Sequence, residues 1–371
     1  MFKVAIVHDW LVNYGGAERV VEAFLKIFPD ADIYTLVYDK KKMGKIFPEQ
    51  KVHASFVQKF PFATKLYTKM LPLMPRAFES FDFSGYDLVL CSSSCCAKGV
   101  ITPPAVPHIA YIHTPMRYAW DQFFEYQKRT SKVVAFFMNR FMPSIRLWDF
   151  VSSQRIDSII ANSRYIQRRI KKYWNLGSSV VYPPVDTSRL CPNNLAPEDF
   201  YVVFSRFVPY KRIDLAITAC GELGRKLVVI GAGSQEKELK ALAARYKNAD
   251  ITFTGRLSDE EVMSFLQRCR AMIFCAEEDF GIVPVEAQAC GRPVIAFAKG
   301  GSLETVIDGQ TGVFFNRQET NSVVEALKKF ETLEKQNCFM SERIVSHARE
   351  FSTERFCSQI KEEIDRILNN F

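Results

Sequence analysis

The chain has 371 residues, 48% of them hydrophobic, and a formal net charge of +8, so two globular domains are expected rather than one. No apolar run approaches the roughly 18–20 residues of a membrane span, and the opening MFKVAIVHDW closes at His8 and Asp9 too soon for a secretory signal; a cytosolic protein is expected. Ten cysteines without a C-x-x-C pair and five scattered histidines argue against a metal centre and read as reduced, mostly buried thiols.

In chain order, strand-like KVAIVH is followed by a helical AERVVEAFLKIF, in which Val20, Val21, Phe24, Leu25 and Phe28 form one apolar stripe. IYTLVY, DLVLCSS, HIAYIHT and SIIANS follow as further strands. A segment containing Pro183, Pro184, Pro192 and Pro197 reads as a linker, with a hinge near Pro183 to Asp186. The alternation then resumes with FYVVFS, KLVVIG, ITFTG, AMIFCA and PVIAFA, and the chain ends in a helical FSTERFCSQIKEEIDRIL able to pack back on the first half. Strands alternating with helices predict an α/β protein with parallel sheets covered on both faces. The expected division is 1–183, 184–351 and a terminal helix over 352–371.

Two such domains bind ligands at the C-terminal ends of their strands. The first strand runs into HDWLVNYGGAERVV, where Gly15 and Gly16 precede a helix; the pair serves either a tight turn or close backbone approach to a ligand. FYVVFS runs into RFVPYKR, setting Arg206 and Lys211 at a helix entrance. Cations are disfavoured beside the positive end of a helix dipole, and a shared anion, such as a diphosphate, accounts for them. In AEEDFGIVPVEAQACGRP, Glu278 and Glu286 stand eight residues apart. Pro284 is expected at the first helical position, with the helix running to about Cys290, Gly291 ending it, and Glu286 in its first turn. Glu278 then lies at the strand's end, with the backbone N–H groups of Phe280, Gly281, Ile282 and Val283 between the acids, an arrangement suited to anions or sugar hydroxyls. Taken alone, the segment fits equally a Glu286 that complements the helix dipole and a solvated Glu278.

Residues 58–76 carry Lys59, Lys65, Lys69 and Arg76 among large apolar groups without an acid, and residues 128–148 repeat the mixture with Lys128, Arg129, Lys132, Arg140 and Arg146. This suits an anionic bilayer surface or a lipid phosphate; the competing reading is core residues beside solvated bases. No nucleic-acid-binding motif accompanies the charge, and no nucleic-acid partner is expected.

SRFVPYKR, TGRLSDEE, AEEDFGIVPVEAQACGRPVIAF and TGVFF, in this order, resemble the retaining family 4 glycosyltransferases of GT-B fold, and IHTPMRYAWDQ is similar to the bacterial O-antigen mannosyltransferases among them. The resemblance implies two Rossmann-like domains facing a central cleft, an acceptor-binding first domain and a nucleotide-sugar-binding second domain. It implies that Arg206 and Lys211 hold the diphosphate, that Glu286 bonds the ribose, and that Glu278 with the amides of Phe280, Gly281 and Ile282 holds the transferred sugar. The backbone around Arg256 would meet the base, Gly15 and Gly16 would face phosphate and acceptor, and His113 would lie near the sugar. The implied reaction moves a hexose, mannose from GDP-mannose, to a lipid-linked glycan in O-antigen-like (lipopolysaccharide) biosynthesis, without a cofactor and at the inner face of the cell membrane. A UDP-sugar donor, a sugar-nucleotide epimerase and a noncatalytic nucleotide-sugar-binding subunit are the alternatives.

Overall fold

The computed structural model describes every residue except Met1, Arg129, Asn194 and Asn370. The chain divides into two compact units, one formed by Met1–Pro184 with Phe356–Phe371 and the other by Val185–Arg355.

The first unit is built on a wholly parallel sheet of β1 (Val4–His8), β2 (Asp32–Thr35), β3 (Val52–Ala54), β4 (Leu88–Ser93), β5 (His108–Ile112), β6 (Ser158–Ala161) and β7 (Ser179–Val180), in the order β3-β2-β1-β4-β5-β6-β7. Every side chain of β1, β4 and β5 is buried, as helices on both faces require. The second unit has a parallel sheet of β8 (Tyr201–Phe204), β9 (Leu227–Ile230), β10 (Ile251–Gly255), β11 (Ala271–Phe274), β12 (Val294–Phe297) and β13 (Gly312–Phe315), in the order β10-β9-β8-β11-β12-β13. In both sheets the strand order reverses beside the first strand, between β1 and β4 and between β8 and β11. Loops leaving two such strands diverge to opposite sides and open a crevice at their C-terminal ends.

The terminal helix Thr353–Leu368 belongs to the first unit from Phe356 onward. Phe356, Ile360 and Ile364 recur every fourth residue and are buried with Val20, Val21 and Phe24 of the Gly16–Ile27 helix, Phe356 stacking on Phe24 at 5.9 Å between ring centres. Burying each of these side chains contributes roughly 1.5–3 kcal/mol. A short strand directly precedes the prolines read as a linker: Ser179 and Val180 pair with Ile160 and Ala161. Two residues are too few to show an alternating pattern, and β7 exists because it covers the edge of β6. The three residues of β3 escaped notice for the same reason. The expected strand IYTLVY is shorter than its apolar run, ending at Thr35.

The β1–β4 crevice is closed at its base by Asp9. The buried carboxylate accepts the backbone N–H groups of Ser94 (2.6 Å) and Cys95 (2.9 Å) and the Ser94 hydroxyl (3.0 Å) on Oδ2, and those of Cys96 (2.9 Å) and Ala97 (2.8 Å) on Oδ1. The loop after β4 is thus a nest of N–H donors filled by the chain's own carboxylate. A second buried charge anchors the long helix Lys132–Ser153: Asp149 Oδ1 lies 2.9 Å from Lys98 Nζ, while its Oδ2 accepts the indole N–H groups of Trp120 and Trp174, each at 2.8 Å. The ring of Trp148 occupies the place a side chain on Gly99 would need, 2.3 Å from its Cβ position, so that helix sits directly on backbone.

Asp9→Asn turns an amide NH2 toward two N–H donors that it cannot accept from. The variant should lose about 3 kcal/mol of stability, read as a lowered urea midpoint; a loss below about 1 kcal/mol would contradict the carboxylate's role.

Candidate functional site

In the second unit, β8 ends at Phe204 and the chain passes through Arg206 to a single 3-10 turn, Pro209–Lys211, before the helix Ile213–Leu223. Arg212, in the left-handed region at φ 50°, makes the corner. On the neighbouring strand, β11 ends at Phe274 and the chain continues through Glu278 to the helix Ile282–Ala289. The reversal of strand order therefore brings the ends of β8 and β11 together, and Lys211 Nζ lies 2.5 Å from Glu278 Oε1. Both side chains keep contact with solvent, with 13% and 23% exposure. Arg206, five residues before Lys211, is exposed and donates to the Tyr210 hydroxyl at 3.3 Å.

The helix after Glu278 starts two residues before Pro284, at Ile282, so the expected start at Pro284 is corrected and Glu286 falls in the second turn, buried. The cause is Gly281, whose φ of 85° turns the chain into the helix early. Proline is still tolerated at the third position, because the first four N–H groups of a helix have no intrahelical acceptor. The first turn presents the N–H groups of Ile282 and Val283, while Phe280 and Gly281 remain in the loop, Phe280 buried against Phe351 with ring centres 5.5 Å apart. Arg256 is exposed just past β10, two strands away from Lys211.

Four glycines outside the predicted set shape this region. The Cβ position of Gly300 lies 2.3 Å from the Glu278 carbonyl oxygen, and that of Gly301 lies 2.2 Å from the Phe280 carbonyl oxygen; Gly301 N–H donates to the Glu278 carbonyl at 2.9 Å. Gly231 and Gly233 likewise press on the backbone of Ser205 and Phe207, at 1.9 and 2.4 Å from the respective carbonyl oxygens. Both loops are thus held by backbone packing that any side chain would disrupt. A glycine pair at a strand end is the signal that singled out Gly15 and Gly16, and it is equally present in AKGGS and IGAGS.

In the first unit, Gly15 immediately precedes the Gly16–Ile27 helix, its Cβ position 3.3 Å from a carboxylate oxygen of Glu18. His113 follows β5, partly exposed. Its Nε2 lies 2.8 Å from Ser92 Oγ, which lies 3.1 Å from His8 Nδ1; His8 Nε2 in turn lies 3.4 Å from Glu18 Oε1. His8, Ser92 and Glu18 are buried. Burial works against a charge on His8, but the hydrogen bond and charge of Glu18, the charge of Asp9 and the Ser92 carbonyl outweigh it and raise the imidazole's pKa. Burial, and then the charge of His8, lower that of His113, which stays neutral near pH 7. The sequence singled out His113 but gave no sign of the other three. They lie on β1, the first helix and β4, and the register of β1 with β4 sets His8 opposite Ser92.

The loop IHTPMRYAWDQ is tied to the helix Arg164–Trp174. Arg169 donates to Thr114 Oγ1 (2.5 Å) and Asp121 Oδ1 (2.6 Å), and Trp120 stacks on Tyr173 with ring centres 4.9 Å apart. Among the described residues, no group of three or more His, Cys, Asp or Glu side chains is arranged to hold a metal ion.

Residues 14–189 match the sequence family described as Glycosyltransferase Family 4, and residues 192–350 match Glycosyl transferases group 1. The O-antigen chain mannosyltransferase C of Escherichia coli is 23% identical over 345 residues, 85% of each chain. The GDP-mannose-dependent alpha-(1-6)-phosphatidylinositol monomannoside mannosyltransferase of Mycolicibacterium smegmatis is 30% identical over 198 residues, 46% of this chain and 52% of that one; against such curated relatives the match spans about half their length. In fold, the chain resembles HepE of Anabaena, solved in complex with UDP, with a TM-score of 0.73 at 18% identity over 98% of this chain and 100% of that one. With one family match on each unit and two parallel sheets of this order, the chain belongs to the family 4 glycosyltransferases, has the GT-B fold and resembles the O-antigen mannosyltransferases.

Proposed function

We propose that the protein is a retaining hexosyltransferase that moves mannose from GDP-mannose onto a lipid-linked glycan acceptor in the synthesis of an O-antigen-like surface polysaccharide. The observation that carries this reading is the Lys211–Glu278 pair at the β8–β11 reversal, beside a helix N-terminus. A cation, a carboxylate and backbone N–H groups converging at one strand crossing match the parts of a sugar nucleotide: negative diphosphate and hydroxyl-rich sugar. The mannosyltransferase names of two relatives support the choice of donor.

In this reading the second unit binds the donor and the first unit the acceptor. Arg206 and Lys211 bind the diphosphate, and Glu278 with the N–H groups of Phe280, Gly281, Ile282 and Val283 binds the hexose. Glu286 bonds the ribose, the backbone at Arg256 meets the base, Gly15 and Gly16 face phosphate and acceptor, and His113 is the first unit's contribution to the chemistry. When the bond between the sugar's anomeric carbon and the diphosphate oxygen breaks, positive charge grows on the sugar and negative charge on the leaving group; fixed cations stabilise the latter. The acceptor oxygen attacks on the face the diphosphate leaves, its proton passing to a phosphate oxygen, so configuration is retained. A nucleoside diphosphate leaves without a proton donor, so the two glutamates are free to bind hydroxyls rather than act as the acid and base of a glycosidase.

The acceptor side of the reading rests on the helix Lys132–Ser153. Val133, Phe136 and Phe137 are exposed, at 66%, 66% and 51%, and Phe137 stacks on Phe141, also exposed. Phe62, at 71%, adds to them, with exposed Lys65 and Lys69 nearby in sequence. Not every base of these segments is free: Arg146 is held by the Ala119 carbonyl and lies 4.6 Å from the centre of the Phe123 ring, and Arg129 lies outside the described residues. No helix among the described residues is long and apolar enough to cross a membrane. Apolar groups among bases suit peripheral binding to an anionic leaflet, and this supports reading the enzyme as one that works at the cytoplasmic face of the cell membrane.

Thermal melting with GDP, UDP, ADP and their sugar conjugates tests the donor. GDP and GDP-mannose should raise the melting temperature selectively, since a ligand at a hundredfold its dissociation constant adds about 2.7 kcal/mol. A UDP-selective shift would replace mannose with another sugar; no shift with any nucleotide would overturn the transferase reading, and interconversion of the sugar nucleotide without acceptor would point to an epimerase. Lys211→Ala should slow transfer about a hundredfold or more with an unchanged circular dichroism spectrum, and a near-normal rate would remove Lys211 from the diphosphate. Phe136→Ser with Phe137→Ser, and separately Lys65→Ala with Lys69→Ala, should each lower co-sedimentation with phosphatidylglycerol vesicles; unchanged binding in both would remove the membrane surface from the reading.

A further inference from the structure

One arrangement of protons uses every contact of the hydrogen-bond chain Glu18–His8–Ser92–His113. His8 Nε2 faces the Glu18 carboxylate at 3.4 Å, and His8 Nδ1 faces the Ser92 carbonyl oxygen at 3.1 Å. A carboxylate and a carbonyl can only accept, so serving both contacts requires a proton on each ring nitrogen of His8, an imidazole cation paired with Glu18. The Ser92 hydroxyl oxygen, also 3.1 Å from His8 Nδ1, meets that N–H with its lone pairs. Its own proton then points to the remaining partner, His113 Nε2, at 2.8 Å. His113 accepts on Nε2 and holds its single proton on Nδ1, which has no hydrogen-bond partner among the described residues.

We propose that Glu18, His8 and Ser92 are positioning residues that lock His113 in the neutral tautomer protonated on Nδ1, giving the first unit a fixed N–H donor for an oxygen of a sugar or phosphate. Three features of the fold hold the chain in place. The register of β1 with β4 sets His8 opposite Ser92. The N–H of His113 donates to the Ser93 carbonyl at 2.8 Å, and the Tyr111 ring packs on the imidazole with centres 5.3 Å apart. Burial, and after it the positive charge of His8, opposes a second proton on His113, so the donor stays uncharged and discriminates by direction rather than by net attraction. The role of this donor in catalysis rests on the transferase reading, whereas the proton arrangement stands apart from it.

Long-range proton–nitrogen NMR of the full chain labelled with 15N-histidine separates the two questions. The His113 signals, assigned by their loss in His113→Gln, should show a protonated Nδ1 and a bare Nε2, and those of His8 should show two protonated nitrogens. Ser92→Ala should shift the His113 proton toward Nε2 and lower kcat about tenfold or more, as a misplaced tautomer does, with the KM for the sugar nucleotide unchanged. A native His113 protonated on Nε2, or a tautomer indifferent to Ser92→Ala, would overturn the proposal. So would a changed tautomer with unchanged kcat. If the native protein transfers no sugar from any donor, the transferase reading fails while the NMR result still decides the proton arrangement.

Discussion

Both sheets are organised by one constraint: the strand after the first crossovers returns to the other side of the first strand, so β4 lies beside β1 and β11 beside β8. Loops that leave adjacent strands in opposite directions leave backbone N–H groups and chain ends uncovered at the crossing. Whatever fills that gap must satisfy polar backbone without the help of a ladder. In the first unit it is filled internally, by the Asp9 carboxylate bound to four backbone N–H groups and a hydroxyl. In the second unit the crossing holds Lys211 and Glu278, partly exposed and paired with each other across the two loops. The same topological device thus yields a closed structural joint in one unit and an accessible pair of charges in the other.

The accessible pair depends on rigid surroundings made largely of glycine. Gly300 and Gly301 let one loop lie against the backbone of Glu278 and Phe280, while Gly231 and Gly233 do the same for the loop of Arg206. Backbone packed on backbone has no rotamers to change, so the carboxylate and the cation are set by main-chain geometry, which favours a preorganised site. The long helix Lys132–Ser153 follows a different logic. Its C-terminal part is fixed by the buried Lys98–Asp149 pair and by two indole hydrogen bonds, while aromatic side chains of its N-terminal part remain exposed. An ion pair at that depth contributes little net stability, yet removing either partner alone would be costly, and its effect is to hold one end of an otherwise solvent-facing apolar helix.

The strand-and-helix alternation, the parallel sheets and the return of the terminal helix were legible in the sequence, because each follows from apolar periodicity in runs long enough to show it. The positions of three candidate charges of the second unit were legible too: Arg206, Lys211 and Glu278 fall in the loops between strand ends and helix entrances, where charge is unusual enough to ask for a reason, whereas Glu286 lies a turn deeper in its helix than expected. Local rules misjudged the start of the helix after Glu278. Proline marked position three of that helix and was read as position one, because the early turn depends on the left-handed conformation of Gly281. β7 and β3 were invisible for want of length.

Sequence alone therefore determined the fold class and the elements that carry charge, since both are properties of spacing along the chain. Tertiary structure decided which groups meet. Lys211 and Glu278 are 67 residues apart and become a pair only because β11 lies beside β8. His8, Ser92 and His113 become linked in one hydrogen-bonded chain with Glu18 because β1 pairs with β4 in a register that sets His8 opposite Ser92. A hydrogen bond depends on distances of about 3 Å, and for residues on different strands that distance is fixed by strand order and register, which no local pattern encodes.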